Sequence, residues 1–309
     1  MKAVYLGTPE FAVPTLERMV SAGHEVVAVF TQPDRPKGRG QELAPPPVKE
    51  AALRLGIAVH QPERIRRPEQ VELLRTIAPE VMVVVGYGQI IPQSIIDIPK
   101  HGIINVHASL LPKYRGAAPI QWAIANGETE TGVTTMRIDA GLDTGDMLLE
   151  WRTAIGPEET APELSARLAT AGADLLAETL RGLEQGTITP RPQDHAAATL
   201  APILKKEDGR IDWNWRAPKI HARSRGFQPW PGAYAEFRGQ TLQVARCHVA
   251  AERTEAAPGS ILPSKRKLLV ACGEGSVVEL AEVQPQGRKR MPGEAFRNGQ
   301  RLLDNERIT

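Results

Sequence analysis

The chain has 309 residues, of which 41% are hydrophobic and 24% are charged, and it contains two cysteines. This composition excludes an intrinsically disordered chain, and two cysteines exclude a disulfide framework beyond one bridge. The length allows two domains with separate cores. Because the sequence shows neither a signal-peptide pattern nor an apolar run of membrane-spanning length, we expect a cytoplasmic protein that does not contact membranes.

Charge is unevenly distributed along the chain. Residues 205–309 carry 19 Lys and Arg against 12 Asp and Glu, a formal charge of +7, which leaves −5 for the preceding 204 residues because the whole chain carries +2. Clustered cations gain affinity for polyanions by releasing counterions from phosphates. A polyanionic partner of the C-terminal part is one interpretation, and a solvated basic surface is the other.

The first part of the chain alternates strand-like and helix-like segments, which is the order of a parallel sheet with crossover helices. The predicted strands are Lys2–Leu6, Glu25–Phe30 and Val59–His60, and the predicted helices are Pro14–Ala22, Val48–Leu55 and, further along, Pro157–Leu183. A continuous apolar run at Val81–Val85 predicts a central strand that is buried on both faces. Ligands of open α/β sheets bind at the carboxyl ends of such strands.

Residues that carry chemistry follow in the segment 102–120. There an apolar strand pattern stops at polar residues and a loop bracketed by prolines. Because alternate strand residues share a face, Asn105 and His107 should point the same way and place an amide donor beside an imidazole. Such a pair can stabilise an oxyanion and handle protons. Asp143, in the later loop 139–146, adds a carboxylate that can converge on the same substrate atom.

These residues also have structural interpretations. His107 can be a structural hydrogen-bond donor, and Asn105 can cap backbone groups near a turn. The aspartates of the 139–146 loop lack the spacing of a calcium loop, and no Cys/His cluster has that of a zinc site, so we expect no metal. Residues 7–10, Gly-Thr-Pro-Glu, lack the Gly-x-Gly-x-x-Gly fingerprint, which argues against a nicotinamide-dependent dehydrogenase.

The C-terminal part has a different pattern. Short apolar runs at 233–237, 241–245, 268–271 and 276–280 are separated by Gly-rich breaks, which suggests a small antiparallel barrel. The segment before them has little periodicity and fits an exposed linker. We therefore predict an α/β protein with a Rossmann-like parallel-sheet domain at 1–189, a linker at 190–204 and a smaller C-terminal β-barrel domain at 205–309.

Two motifs resemble a known family. The segments 105–112, Asn-Val-His-Ala-Ser-Leu-Leu-Pro, and 141–145, Gly-Leu-Asp-Thr-Gly, are similar to the two hallmark segments of the 10-formyltetrahydrofolate-dependent formyltransferases. Within that family, further segments resemble the enzymes that formylate methionyl-tRNA. These segments are 7–11, 31–40, 115–121, 211–213 and 227–232, so the resemblance covers nearly the whole chain.

The resemblance implies an oligonucleotide-binding (OB) type of barrel after the catalytic domain. It implies transfer of the formyl group of a co-substrate, 10-formyltetrahydrofolate, to the α-amino group of methionine on initiator methionyl-tRNA, for translation initiation. It also implies that Asn105, His107 and Asp143 are catalytic. We expect the enzyme to be a monomer.

Two further sets of residues are expected to bind substrates. A folate pocket is expected from Gly86, Tyr87, Gly88, Ile91, Ser109, Leu110, Leu111 and Pro112, with apolar side chains around the flat pteridine and backbone groups at its edge. Leu110 and Leu111 can equally be ordinary core residues. The expected tRNA contacts are Arg35, Lys37, Arg39, Lys205 and Lys206, with Arg223, Arg225 and the run 288–290 as weaker candidates.

Two alternative functions stay open on the sequence. A formyltransferase acting on a small amine, such as glycinamide ribonucleotide or an amino sugar nucleotide, would use the same site, but a small substrate does not explain the cationic segment 35–40 or the second domain. A nonenzymatic RNA-binding protein on a degenerate scaffold is the other alternative. Intact Asn105, His107 and Asp143 argue against it.

Overall fold

A computed structural model describes residues 1–37, 42–302 and 306–309. Its helices, labelled in chain order, are α1 Val13–Ser21, α2 Pro47–Arg54, α3 Pro68–Ile77, α4 Gln93–Ile96, α5 Pro119–Ala125, α6 Ala161–Gln185, α7 Ala217–Gly226 and α8 Gly293–Gly299. Its strands are β1 Lys2–Gly7, β2 Glu25–Phe30, β3 Arg35–Lys37, β4 Glu42–Ala44, β5 Ala58–His60, β6 Val81–Val85, β7 Ile103–His107, β8 Glu130–Arg137, β9 Met147–Ala154, β10 Ala233–Phe237, β11 Gln240–Ala250, β12 Ile261–Leu262, β13 Leu269–Ala271, β14 Val277–Pro285 and β15 Met291–Pro292.

The chain forms two compact units. The first comprises 1–119, 130–153 and 165–202, and the second comprises 120–129, 154–164 and 203–309. The predicted linker 190–204 is exposed at most positions, but its buried residues include Gln193 and Ala201, which are 5% and 0% exposed. Both belong to the first unit and contact the proposed active site described below. The domain bounds predicted from the sequence stay a prediction.

The first unit is built on a seven-stranded sheet in the order β5-β2-β1-β6-β7-β8-β9. Across the sheet, each pair of neighbours from β5 through β2, β1 and β6 to β7 is parallel. Strand β8 is antiparallel to β7. The order reverses between β1 and β6, as in doubly wound α/β folds, whose ligands bind outside the carboxyl ends of the strands at that reversal. The predicted Rossmann-like fold of the N-terminal part is confirmed.

Hydrophobic patterning explains the centre of this sheet. All residues of β6 are buried, because a parallel strand covered on both faces exposes neither set of alternating side chains. The long helix α6 begins at Ala161 rather than at the predicted Pro157. The side-chain carboxylate of Glu163 accepts hydrogen bonds from the backbone N–H and hydroxyl of Thr160, at 2.8 and 2.7 Å, and so satisfies donors at the helix start.

The stretch between Phe30 and Val48 contains a short hairpin, in which β3 and β4 pair antiparallel with Arg35 opposite Ala44. Its base is anchored at Asp34, whose carboxylate accepts hydrogen bonds from Gln61 and Lys49 at 2.7 Å each. The hydrogen bond from Gln61 is the largest cause that lowers the pKa of Asp34, and the hydrogen bond from Lys49 is the next.

The second unit contains an antiparallel sheet in the order β10-β11-β14-β13-β12, with β15 added beside β14. Arg238 and Gly239 connect β10 to β11 with φ values of 50° and 74°, the conformation of a type I′ hairpin turn. On its inner side, Phe237 and Phe296 pack edge to face with ring centroids 5.3 Å apart. This antiparallel half-barrel confirms the predicted β-rich C-terminal fold.

Candidate active site

Asn105 and His107 lie two residues apart on β7 and are buried, at 8% and 5% exposure. Both face the carboxylate of Asp143. The Nδ2 atom of Asn105 lies 3.4 Å from Asp143 Oδ1, and the Nδ1 atom of His107 lies 3.7 Å from Asp143 Oδ2. The structure therefore brings together the three residues that the sequence predicts to be catalytic.

The second ring nitrogen of His107 fixes its protonation pattern. Nε2 lies 2.9 Å from the carbonyl oxygen of Tyr114. A carbonyl oxygen only accepts hydrogen bonds, so Nε2 carries a hydrogen and donates it. Nδ1 is therefore the ring nitrogen that is left to interact with Asp143. A protonated Nδ1 lies within ion-pair distance of that carboxylate.

Asp143 is held in an unusual conformation. Its φ of 51° lies in the left-handed region, which costs a non-glycine residue about 1–2 kcal/mol, although aspartate tolerates it better than most residues. Its Oδ2 atom accepts a hydrogen bond from the backbone N–H of Gly116 at 2.8 Å. The backbone conformation and this bond together direct the carboxylate toward Asn105 and His107.

Gln193 organises this loop, and the sequence interpretation missed it. Its side-chain N–H group donates to the carbonyl oxygens of Asp143 and Gly145, at 2.9 and 2.7 Å. Its Oε1 atom accepts two hydrogen bonds from Arg115, at 3.0 and 2.6 Å. Arg115 is itself buried, at 7% exposure, and also donates to Nδ1 of His195 at 3.1 Å. The signal in the sequence is no more than a glutamine that follows the Pro-Arg-Pro segment at 190–192.

Gly116 can only be a glycine in this structure. Its φ is 118°, and an added Cβ atom would lie 2.7 Å from the carbonyl oxygen of Ala201. Backbone bonds hold the two segments together, from the N–H of Ala201 to the carbonyl of Arg115 at 2.7 Å and from the N–H of Ala118 to the carbonyl of Ala201 at 3.2 Å. The segment predicted to be a linker thus holds Gly116 in the position from which its backbone N–H donates to Asp143.

The expected folate-binding segment after β7 is tightly folded. The hydroxyl of Ser109 donates to the carbonyl of Lys113 at 2.6 Å. The hydroxyl of Thr134 donates to the carbonyl of Ser109 at 2.7 Å and accepts from the backbone N–H of Leu111 at 3.2 Å. Ser109 and Leu111 are buried, whereas Leu110 and Pro112 are partly exposed. Within residues 109–112, a ligand can therefore contact the side chains of Leu110 and Pro112, whereas those of Ser109 and Leu111 are covered.

The other expected folate residues divide into core and surface. Tyr87 and Ile91 are buried in the hydrophobic core of the first unit, at 1% and 8% exposure, and burial raises the pKa of Tyr87. Gly86 and Gly88 are exposed and have φ values of 57° and 84°. An added Cβ on Gly86 would lie 2.9 Å from Cγ of Pro9. In the turn 86–88, the two glycines are accessible to a ligand, whereas the ring of Tyr87 is not.

The expected tRNA contacts are only partly described. Arg35, Lys205 and Lys206 are exposed, Lys37 ends β3, and Arg39 lies outside the described residues. Of the weaker candidates, Arg223 stacks on the Trp215 ring at 4.6 Å and donates to the carbonyl of Asp208 at 2.9 Å. Arg225 donates to the carbonyls at 156 and 159, at 3.2 and 2.7 Å. These two guanidinium groups are engaged by the second unit's own backbone and rings, and their phosphate contacts stay a prediction.

Comparison with known proteins matches both parts of the chain. The formyl transferase family matches residues 1–180, and the formyl transferase C-terminal domain matches residues 203–301. The chain is 66% identical over 308 residues to the methionyl-tRNA formyltransferase of Solibacter usitatus, covering 100% of this chain and 98% of that protein. It is 54% identical over 309 residues to the methionyl-tRNA formyltransferase of Acidobacterium capsulatum, covering 100% and 99%.

Solved structures support the fold. An N-formyltransferase from Helicobacter canadensis, in complex with folinic acid and dTDP-3-aminofucose, aligns with a TM-score of 0.69 at 19% identity, over 90% of this chain and 98% of that one. Among the described residues, no helix is both long enough and apolar enough to cross a bilayer.

Proposed function

The chain belongs to the formyl transferase family, and from that premise we propose that it transfers the formyl group of 10-formyltetrahydrofolate to the α-amino group of methionine on initiator methionyl-tRNA. The observation that carries this proposal is the identity of 66% to a methionyl-tRNA formyltransferase across essentially the whole of both chains. The product, formylmethionyl-tRNA, serves translation initiation.

The reaction requires a neutral amine, because a protonated amine has no lone pair. The amine nitrogen attacks the formyl carbon, the bond from that carbon to N10 of the folate breaks, and the proton lost by the amine passes to N10 directly or through a relay. Asp143 accepts the amine proton directly or through one water. Its Oδ1 atom is the freer oxygen, because Oδ2 already accepts the short bond from Gly116.

The tetrahedral intermediate carries a negatively charged oxygen. Asn105 donates one amide hydrogen to that oxygen without any change in its own charge, and removing one such donor costs other enzymes about 3 kcal/mol. His107 lies on the same strand, with Nδ1 3.7 Å from Oδ2 of Asp143, and its imidazolium form donates a charge-assisted hydrogen bond to the same oxygen of the intermediate. No covalent enzyme intermediate is needed, because the deprotonated amine is itself the nucleophile.

The folate is bound near the ends of β6 and β7. Backbone groups of Gly86 and Gly88 are exposed there to hydrogen-bond the pteridine edge, and Leu110 and Pro112 offer apolar surface to its face. Tyr87, Ile91, Ser109 and Leu111 contribute by shaping the pocket from within the core and the folded loop. The formyl transfer needs no metal, because the three polar side chains supply both the proton acceptor and the oxyanion donors.

The tRNA is bound by cationic side chains that contact its phosphates. Arg35, Lys37 and Arg39 reach the acceptor stem, and Lys205 and Lys206 contact the backbone from the second unit. The formal charge of +7 on residues 205–309 supports a polyanionic partner. The enzyme acts as a monomer in the cytoplasm.

Substrate competition tests the proposal. The purified chain is incubated with 10-formyltetrahydrofolate and, in separate reactions, methionyl initiator tRNA, methionyl elongator tRNA, glycinamide ribonucleotide or an amino sugar nucleotide, and transferred formyl is measured. We expect preferential formylation of the initiator. Transfer to small amines alone would support formyl transfer from the folate but overturn the assignment of tRNA as the acceptor. No transfer to any acceptor would favour a nonenzymatic RNA-binding protein.

The cationic segment is tested separately. We expect Arg39→Ala to raise KM for methionyl initiator tRNA and to leave folate binding unchanged, because it removes a proposed phosphate contact and no group of the proposed folate pocket. Arg64→Ala is a matched control, since it removes an exposed arginine elsewhere in the first unit. Equal KM values for Arg39→Ala and the unmodified chain would remove this segment from the tRNA site.

A further inference from the structure

Three side chains that commonly bind metals meet in the second unit, outside the proposed active site. They are Glu158, which precedes α6, His221 on α7 and His248 on β11. Nε2 of His221 and Nδ1 of His248 each lie 3.3 Å from Oε2 of Glu158, and the three atoms all lie within 4.8 Å of one another. The residues are distant in sequence, so folding alone brings these atoms together.

Two of the three separations match those of coordinated atoms. Bonds of about 2.0–2.1 Å from Zn²⁺ to nitrogen and oxygen, separated by the tetrahedral angle, place two ligand atoms about 3.3 Å apart. The two distances from Glu158 have this value. The contact from His221 to Glu158 is also a hydrogen bond, but at 3.3 Å it is longer than the about 2.7–2.9 Å of a charge-assisted one.

The chemistry of the three groups also suits a transition metal. Imidazole nitrogens and carboxylate oxygens are donors that suit Zn²⁺, and the side chain of His221, which is 10% exposed, is held with Nε2 toward Glu158. The side chain of Glu158 lies in the electrostatic range of Arg225, whose guanidinium donates to the carbonyls at 156 and 159. The side chains of Glu158 and His248 are 63% and 39% exposed, which leaves a position open to water.

We propose that Glu158, His221 and His248 bind one Zn²⁺ ion, with water as its fourth ligand. Two imidazole nitrogens and one carboxylate oxygen are a known ligand set for Zn²⁺ with three protein ligands. The ion joins the segment before α6 to α7 and β11, and therefore stabilises the second unit. This role is independent of the formyl transfer proposed above, because none of the three residues belongs to the site around Asp143.

Direct titration of the full chain tests this site. The purified protein is dialysed against a chelator, returned to chelator-free buffer and titrated with ZnCl₂ by calorimetry, with the melting temperature followed in parallel. We expect saturable binding of one ion per chain and a melting temperature that rises with Zn²⁺ concentration. Absorption of the Co²⁺-substituted protein should show the visible bands of tetrahedral coordination.

Variants decide whether these residues are the ligands. His248→Gln and Glu158→Gln change partly exposed side chains, so the fold should persist, and each should weaken Zn²⁺ binding at least about tenfold. His101→Gln and Glu159→Gln are matched controls that remove a histidine elsewhere and a neighbouring charge, and both should bind as the unmodified chain does. Absence of saturable binding, or unchanged affinity in either cluster variant, would overturn the proposal.

Discussion

The side-chain amide of Gln193 donates a 2.9 Å hydrogen bond to the backbone carbonyl of Asp143, across 50 residues of sequence. The same amide also binds the carbonyl of Gly145, and its oxygen accepts from the buried guanidinium of Arg115. A loop that contains a non-glycine residue with positive φ needs such external support, because its conformation is costly on its own. Gln193 is therefore a positioning residue for the proposed proton acceptor.

We expect Gln193→Glu to lower kcat by at least about tenfold and to reduce the free energy of unfolding by about 1–3 kcal/mol. The carboxylate still accepts from Arg115, but it can no longer donate to the two loop carbonyls. Gln284→Glu is the matched control, since Gln284 makes one exposed bond to the carbonyl of Arg288. Steady-state kinetics and thermal unfolding measure both effects. A fall in stability with unchanged kcat would show that Gln193 does not position the catalytic loop.

Asp143→Asn should reduce kcat by at least about 10²-fold while the fold and tRNA affinity persist. The amide oxygen of asparagine still accepts from the N–H of Gly116, but the side chain no longer takes a proton from the amine. Asp174→Asn is the control, because Asp174 forms only a surface ion pair with Arg18 at 3.0 Å. Single-turnover rates with methionyl initiator tRNA measure the chemical step. Substantial turnover by Asp143→Asn would assign proton removal to another group.

Gly116→Ala should destabilise the protein by about 1–3 kcal/mol and strongly reduce turnover. The added methyl group would meet the carbonyl oxygen of Ala201 at 2.7 Å and displace the N–H that binds Asp143. Gly23→Ala is a matched control, because Gly23 also has a positive φ, of 85°, but has no atom within 4 Å of an added Cβ. Chemical denaturation and kcat compare the two. Equal effects of the two variants would show that the contact with Ala201 does not matter.

Both cysteines should resist alkylation in the folded protein. Cys247 and Cys272 are buried, and burial raises the pKa of Cys272 to about 12. In the unfolded chain the pKa of that thiol is about 8.5. Between about pH 8.5 and about pH 12 the folded state therefore holds more protons than the unfolded state. Cys272 therefore contributes stability that is fully present below about pH 8.5 and declines as the pH rises toward its folded value.

Thiol counting and unfolding curves check this prediction. We expect neither thiol to react with iodoacetamide at about pH 8 in the native state, and both to react in concentrated guanidinium chloride. The free energy of unfolding should fall more steeply with pH above about pH 9 in the unmodified chain than in Cys272→Ala. Rapid native alkylation, or identical pH slopes, would contradict the burial of this thiol.

The sequence by itself determined the elements with strong local signals. The uninterrupted apolar run at Val81–Val85 is β6, because burial on both faces demands a continuous apolar pattern, and the predicted strand Glu25–Phe30 is β2, whose last three residues are buried. Strand alternation by itself places Asn105 and His107 on one side of their strand. These inferences depend only on neighbouring residues, so they needed no knowledge of the fold.

The tertiary structure decided everything that depends on distant partners. The hydrogen on Nε2 of His107 is set by the carbonyl of Tyr114, and the conformation of the Asp143 loop is supported by Gln193 from a stretch that reads as a linker. Glu158 acquires two imidazole neighbours only when α7 and β11 pack together. Composition and periodicity describe one segment at a time, whereas hydrogen bonds and ligand sets join atoms that the chain alone leaves far apart.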